Sequence, residues 1–128
     1  MRFVVRMGVP EMAAFWAHLV EGRRNDSLTP EEDGFADKLA HALTHLRDDP
    51  RHPGLESHDI PDLTRKYGFK IRQSYLENNT PSAGRLYWAY GPNDGEITIL
   101  GIEPHPEDQK RGAYKRIRLS KMPPRSKR

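Results

Sequence analysis

Between residues 41 and 90 the chain interleaves basic side chains with histidines and tyrosines, the side-chain types that hold anions and move protons. In the run from Lys70 to Glu77 a period of two puts Lys70, Arg72, Ser74 and Leu76 on one face, opposite Ile71, Gln73, Tyr75 and Glu77. From Arg85 to Tyr90 the same period separates Arg85, Tyr87 and Ala89 from Leu86, Trp88 and Tyr90. The expectation is a sheet with one cationic face, and the ligand that suits such a face carries phosphate. Glu56 and His58, two apart, are expected on one face of a short strand, as an acid/base pair or as an ordinary pair on an edge. His41 and His45 are four apart on a helix, a spacing that lets two imidazoles share a metal ion. At about 100° per residue, however, they lie roughly 110° to 150° from the apolar stripe of that helix and should face solvent. The Glu of an HExxH pattern is not there either.

The elements that must position these residues can be read in order. Arg2 to Met7 alternates and predicts a first strand, ended by Gly8-Val9-Pro10. Met12, Phe15, Trp16 and Leu19 follow at helical spacing. Thr29-Pro30-Glu31-Glu32 spells a capping box, with Thr29 as N-cap, Pro30 at the first helical position and Glu32 reaching back. Phe35, Leu39, Leu43 and Leu46 mark the core face of this second helix, which stops at Asp49-Pro50 and completes an antiparallel helical hairpin. A rigid turn then leads to a short strand over residues 55–60 and a loop through Tyr67-Gly68. Residues 70–106 read as a meander of three strands joined by Pro-, Asn-, Asp- and Gly-rich connections. Its last strand, apolar on both faces through Ile97, Ile99, Leu100 and Ile102, is expected to be covered on both sides.

At 128 residues the chain has the length of one domain, assigned here to residues 1–121, with residues 122–128 as a basic disordered tail. It has no cysteine, which excludes disulfides and thiolate zinc sites, and no apolar run long enough to span a bilayer, so a cytoplasmic location with no membrane partner is expected. P-loop, GxGxxG and GxSxG patterns do not occur, and no cofactor is expected. The net charge of +3 is uneven: from His105 onward nine Lys or Arg face only Glu107 and Asp108, and the rest of the chain is mildly acidic. A basic end on an acidic body suits an anionic partner, nucleic acid above all.

Three phrases, PRHPGLESHDI, YLENNTPSAGRLYWAYGP and EITILGIEPHP, together with the order of elements, resemble the RelE-like branch of the RelE/ParE superfamily of bacterial toxin–antitoxin systems. The resemblance covers about Arg2 to His105. It implies an α+β fold: an N-terminal strand, an antiparallel helical hairpin, then a four-strand mainly antiparallel sheet with the helices packed on one face. It also implies a toxin that cuts messenger RNA without metal at the ribosome, by attack of a 2′-hydroxyl on the neighbouring phosphorus, and that is blocked by a cognate antitoxin. By the same resemblance Arg85 is the phosphate-binding arginine, Arg72 a second basic position, His105 an acid or base and Tyr114 the aromatic that stacks on a base. His52 and His58 are further candidates. Lys70, Lys110, Arg111, Lys115 and Arg116 would contact RNA backbone. Two other readings stay open: a ParE-like inhibitor of DNA gyrase with no chemistry of its own, and an inactive nucleic-acid-binding or regulatory relative.

Overall fold

The computed structural model describes residues 2–76, 84–104 and 119–125. In order these form β1 (Val4–Met7), α1 (Glu11–Arg24), α2 (Pro30–Asp48), a 3-10 turn at Pro53–Leu55, β2 (His58–Asp59), α3 (Pro61–Tyr67), β3 (Arg72–Tyr75), β4 (Gly84–Tyr90) and β5 (Glu96–Pro104). The strands make one five-stranded sheet in the order β1-β5-β4-β3-β2, antiparallel except for β1, which runs parallel to β5. The N-terminal strand is thus part of the same sheet, closing its far edge, rather than an element beside a four-stranded one.

The helical hairpin forms as the sequence predicts. Thr29 Oγ1 accepts the Glu32 N–H at 3.1 Å while Glu32 Oε1 accepts the Thr29 N–H at 3.0 Å, so two otherwise unpaired donors at the start of α2 are satisfied. These contacts hold the Glu32 carboxyl below the usual carboxylate range, the hydrogen bond from the Thr29 backbone first and that from His18 second. A lowered folded-state pKa means that the stabilisation is complete above the ordinary glutamate value and is lost as the pH falls through the lowered one. The protection of the Thr29 and Glu32 amides against exchange, taken relative to the intrinsic rate at each pH, should therefore fall on acidification through that window. Thr29→Ala should cost about 1 kcal/mol at neutral pH, and unchanged protection across the titration would show the box to be idle.

The first turn of α1 carries no cap of its own. Its Met12 N–H is taken by the hydroxyl of Ser120, at 3.0 Å, which in turn donates to Glu11 at 3.2 Å. The segment holding Ser120 lies against the β1–α1 turn, Lys121 and Val9 exchanging backbone hydrogen bonds of 2.8 and 2.9 Å. The approach is close enough that a Cβ on Gly8 would meet Ser120 Cβ at 2.8 Å and the Ile99 carbonyl at 3.0 Å. Met122 packs on the core and Pro123 is buried, so the first residues assigned to the tail from composition belong to the body.

Both faces of the sheet are covered. On one, Leu19 of α1 and Leu39 and Leu46 of α2 pack on Leu86, Trp88, Ile97 and Ile99. On the other, Leu63 of α3 packs with Ile60, Ile71, Tyr87, Ala89 and Leu100, joined by Tyr67, Phe69, Leu119 and Met122. The expectation that the helices occupy one face holds for α1 and α2 only. α3 replaces the expected loop: Pro61 opens it and Gly68, at φ +83°, closes it, but seven residues with a single apolar pair four apart, Leu63 and Tyr67, carry too little periodicity to be recognised. The strand expected over residues 55–60 shrinks to His58–Asp59, because Pro53–Leu55 winds into the 3-10 turn and Glu56 follows at φ 47°. In β5 a register shift opposite Tyr87/Trp88 leaves Leu100 between the partners Ile99 and Gly101. Leu100 faces α3, and the irregularity returns Ile102, opposite Leu86, to the face of Ile97 and Ile99 toward α1 and α2, so the strand is apolar on both sides without strict alternation.

Candidate active site

The register between β3 and β4 decides which side chains meet. Arg72 lies opposite Trp88, Gln73 opposite Tyr87, and Tyr75 opposite Arg85, while β2 adds His58 opposite Gln73. Directly opposed residues of an antiparallel pair share a face. His58, Gln73, Tyr75, Arg85 and Tyr87 therefore lie on the face that α3 helps to cover, and Arg72 lies on the other with Trp88 and Ser74. The cationic face expected from alternation does not form, because the two arginines fall on opposite sides of the sheet.

Arg85 is the unusual member of the first group. It is 4% exposed, its guanidinium carbon lies 3.7 Å from the centre of the Tyr75 ring, and its Nη1 is buried with no hydrogen-bond partner. Among the residues whose side chains are described no carboxylate pairs with it; its partner in register on β5 is Glu103. A stacked, desolvated cation–π contact returns about 2 kcal/mol, whereas taking an ion out of water costs several kcal/mol. The site thus holds a positive charge that the described side chains do not fully compensate, with Nη1 left for an anion. Beneath it Gln73 donates to Tyr87 Oη at 3.0 Å, which locks the floor of the group.

Two histidines flank Tyr75 with complementary tautomers. His58, whose ring centre is 6.3 Å from that of Tyr75, has Nδ1 at 3.0 Å from the Glu56 carbonyl. A carbonyl only accepts, so Nδ1 carries the proton and the Nε2 lone pair is left for a proton in transit. The carboxylate of Glu56 takes no part in this, and the expected pairing of Glu56 with His58 side by side on a strand does not occur, since Glu56 lies outside β2. At His52 the order reverses: the Gly54 N–H donates to Nδ1 at 3.0 Å, so a neutral ring carries its proton on Nε2 and presents a donor.

His52, His41, His45 and Tyr75, with Ala42, Gly54, Leu55 and Leu76, line an open cavity of about 190 Å³. The His45 and His52 rings stack at 4.0 Å, and the His45 imidazole is pushed below its usual range, by burial first and then by the charges of His52 and His41. The turn that carries His52 is tied to the sheet through Ser57, whose hydroxyl lies 3.2 Å from the Pro50 carbonyl and 2.6 Å from Ser74 Oγ, itself the acceptor of the Trp88 indole N–H at 2.8 Å. A polar thread through the core thus fixes the distance between turn and strand.

Of the residues singled out from the sequence, Arg85 and His58 are brought to one face. Arg72 is turned toward Trp88, 5.6 Å from its ring, and with Lys70 flanks Asp59 at 3.6 and 3.4 Å, so both are engaged in an ion-pair cluster. His105, Lys110, Arg111, Tyr114, Lys115 and Arg116 lie outside the described residues. No family model, curated protein or solved structure matches the chain. No helix among the described residues is long and apolar enough to cross a membrane. Sequence reasoning passed over Tyr75, which links the Arg85 group to the histidine-lined cavity. Alternation did set it opposite Arg72, and only the pairing with Arg85 gives that placement meaning.

Proposed function

We propose that the chain is a RelE-like toxin of a bacterial toxin–antitoxin system, a cytoplasmic endoribonuclease that cuts messenger RNA at the ribosome and is silenced by a cognate antitoxin. The observation that carries this reading is the buried guanidinium of Arg85 with its unpaired Nη1, stacked on Tyr75 and sharing a face with a histidine whose Nε2 lone pair is free. In the reaction, His58 Nε2 takes the proton of the 2′-hydroxyl as that oxygen attacks the adjacent phosphorus. Arg85 receives the charge that grows on the phosphoryl oxygens, and the bond to the 5′-oxygen breaks. The resemblance gives His105 the task of protonating that leaving oxygen. The products are a 2′,3′-cyclic phosphate and a 5′-hydroxyl, and neither metal nor cofactor enters. Tyr75, half-buried, is the side chain that must swing for Nη1 to be reached, and once displaced it offers its ring to a base.

The test is induced expression in a bacterial host of the chain and of His58→Ala and His105→Ala, with primer extension on cellular mRNA. The reading expects growth arrest with new 5′ ends inside coding regions, cuts that persist in EDTA with purified components, and folded variants that no longer cut. Growth arrest without cuts would overturn it in favour of a binding inhibitor of the gyrase type, and no arrest would mark an inactive relative.

A further inference from the structure

On α2, His41 and His45 project side by side, with their Nε2 atoms 3.1 Å apart and their rings nearly perpendicular, at 85°. A hydrogen bond between two imidazoles holds one proton between two nitrogen lone pairs, and a metal ion can replace that proton. With metal–nitrogen bonds of about 2.05 Å, a 3.1 Å separation corresponds to an angle of roughly 100° at the ion, between the octahedral and tetrahedral values. The backbone that carries both histidines is anchored: Ala42 and Leu46, the residues that follow each of them, are buried in the core at 2% and 0% exposure. The cost of ordering on binding is then confined to the two side chains. The pair opens on the cavity of about 190 Å³, room for an ion and several water ligands.

We propose that His41 and His45 form a two-imidazole chelate for a borderline divalent first-row ion, Cu²⁺, Ni²⁺ or Zn²⁺, whose other positions are filled by water or by an anionic oxygen. Imidazole nitrogen favours these ions over Mg²⁺ or Ca²⁺, and the order of affinity peaks at Cu²⁺. No group of three or more His, Asp or Glu suited to a metal occurs among the described residues, which makes this an open site of two protein ligands rather than a closed structural one. His52 does not complete it: its ring lies stacked on that of His45 and its Nδ1 is held by Gly54. Neither ligand is among the residues assigned to the proposed reaction, although Tyr75, which stacks on Arg85, lines the same cavity.

The experiment is titration of the full chain, free of any polyhistidine tag, with Cu²⁺ and with Zn²⁺ by calorimetry, together with two-dimensional NMR of the histidine ring nitrogens. The expected result is one tight equivalent of Cu²⁺ with the Nε2 resonances of His41 and His45 shifted. His41→Ala and His45→Ala should each bind on the order of 100-fold more weakly, because the second ligand then no longer acts at a high effective concentration. His52→Ala and His18→Ala should keep the site. Both helix variants have exposed or half-exposed histidines to lose and are expected to stay folded, which circular dichroism checks. Affinity unchanged in both variants, or lost instead in His52→Ala or His105→Ala, would overturn the proposal.

Discussion

Arg85→Met is expected to abolish RNA cutting while leaving the fold as stable as before or more so. Two effects compete. The methionine forfeits the stacking of a cation on Tyr75, about 2 kcal/mol or somewhat more for a desolvated pair. It also removes a buried charge whose Nη1 has no partner, and relief of such desolvation amounts to several kcal/mol. The second term is the larger, so the melting temperature should hold or rise by a few degrees. Loss of a cation that meets phosphorane charge lowers the rate by about 10²- to 10³-fold. Activity and stability should therefore move in opposite directions, the pattern of a residue retained for function at a cost to the fold. Arg85→Lys tests the same point from the other side: it keeps the charge but loses the planar stack, and should recover little activity. A melting temperature that collapses in Arg85→Met would mean that the arginine is structural, and the nuclease reading would lose its main support.

The largest loss of stability is expected at Trp88. It is fully buried on the side of the sheet that α1 and α2 cover, donates its indole N–H to Ser74, carries Arg72 at 5.6 Å and meets Tyr90 edge-on at 5.2 Å. Trp88→Ala should cost about 3–5 kcal/mol, through lost transfer free energy and the cavity left behind. Against a total of about 5–15 kcal/mol for a domain, that is enough to populate unfolded chains. Trp88→Phe refills most of the space but strands the Ser74–Ser57 pair without its donor, and about 1–2 kcal/mol is expected. Urea unfolding followed by the fluorescence of the remaining tryptophan, Trp16, measures both. A loss below about 1 kcal/mol in Trp88→Ala would show that the helices are not seated on this strand. The turn that carries His52 should loosen in step, because its tie through Ser57 ends on the same indole.

Elements with local causes were legible in the order of residues alone. Thr29, Pro30 and Glu32 specify the start of α2 within four residues, and the apolar spacing of Leu39 and Leu46 marks the face that is buried. Strand alternation likewise separated Arg72 from Gln73 and Tyr75, and Arg85 from Leu86 and Trp88. Alternation within a strand leaves open which face of one strand continues which face of the next, since a shift of one residue in register exchanges every side chain between faces. Only the pairing of Tyr75 with Arg85 placed the two arginines on opposite sides, and only that of His58 with Gln73 set His58 beside Tyr75. Equally, nothing near α1 announces that its cap is Ser120, more than a hundred residues away, and no spacing links His52 to Tyr75. Those contacts arise from packing two layers on one sheet, a property of the whole chain that no short window contains.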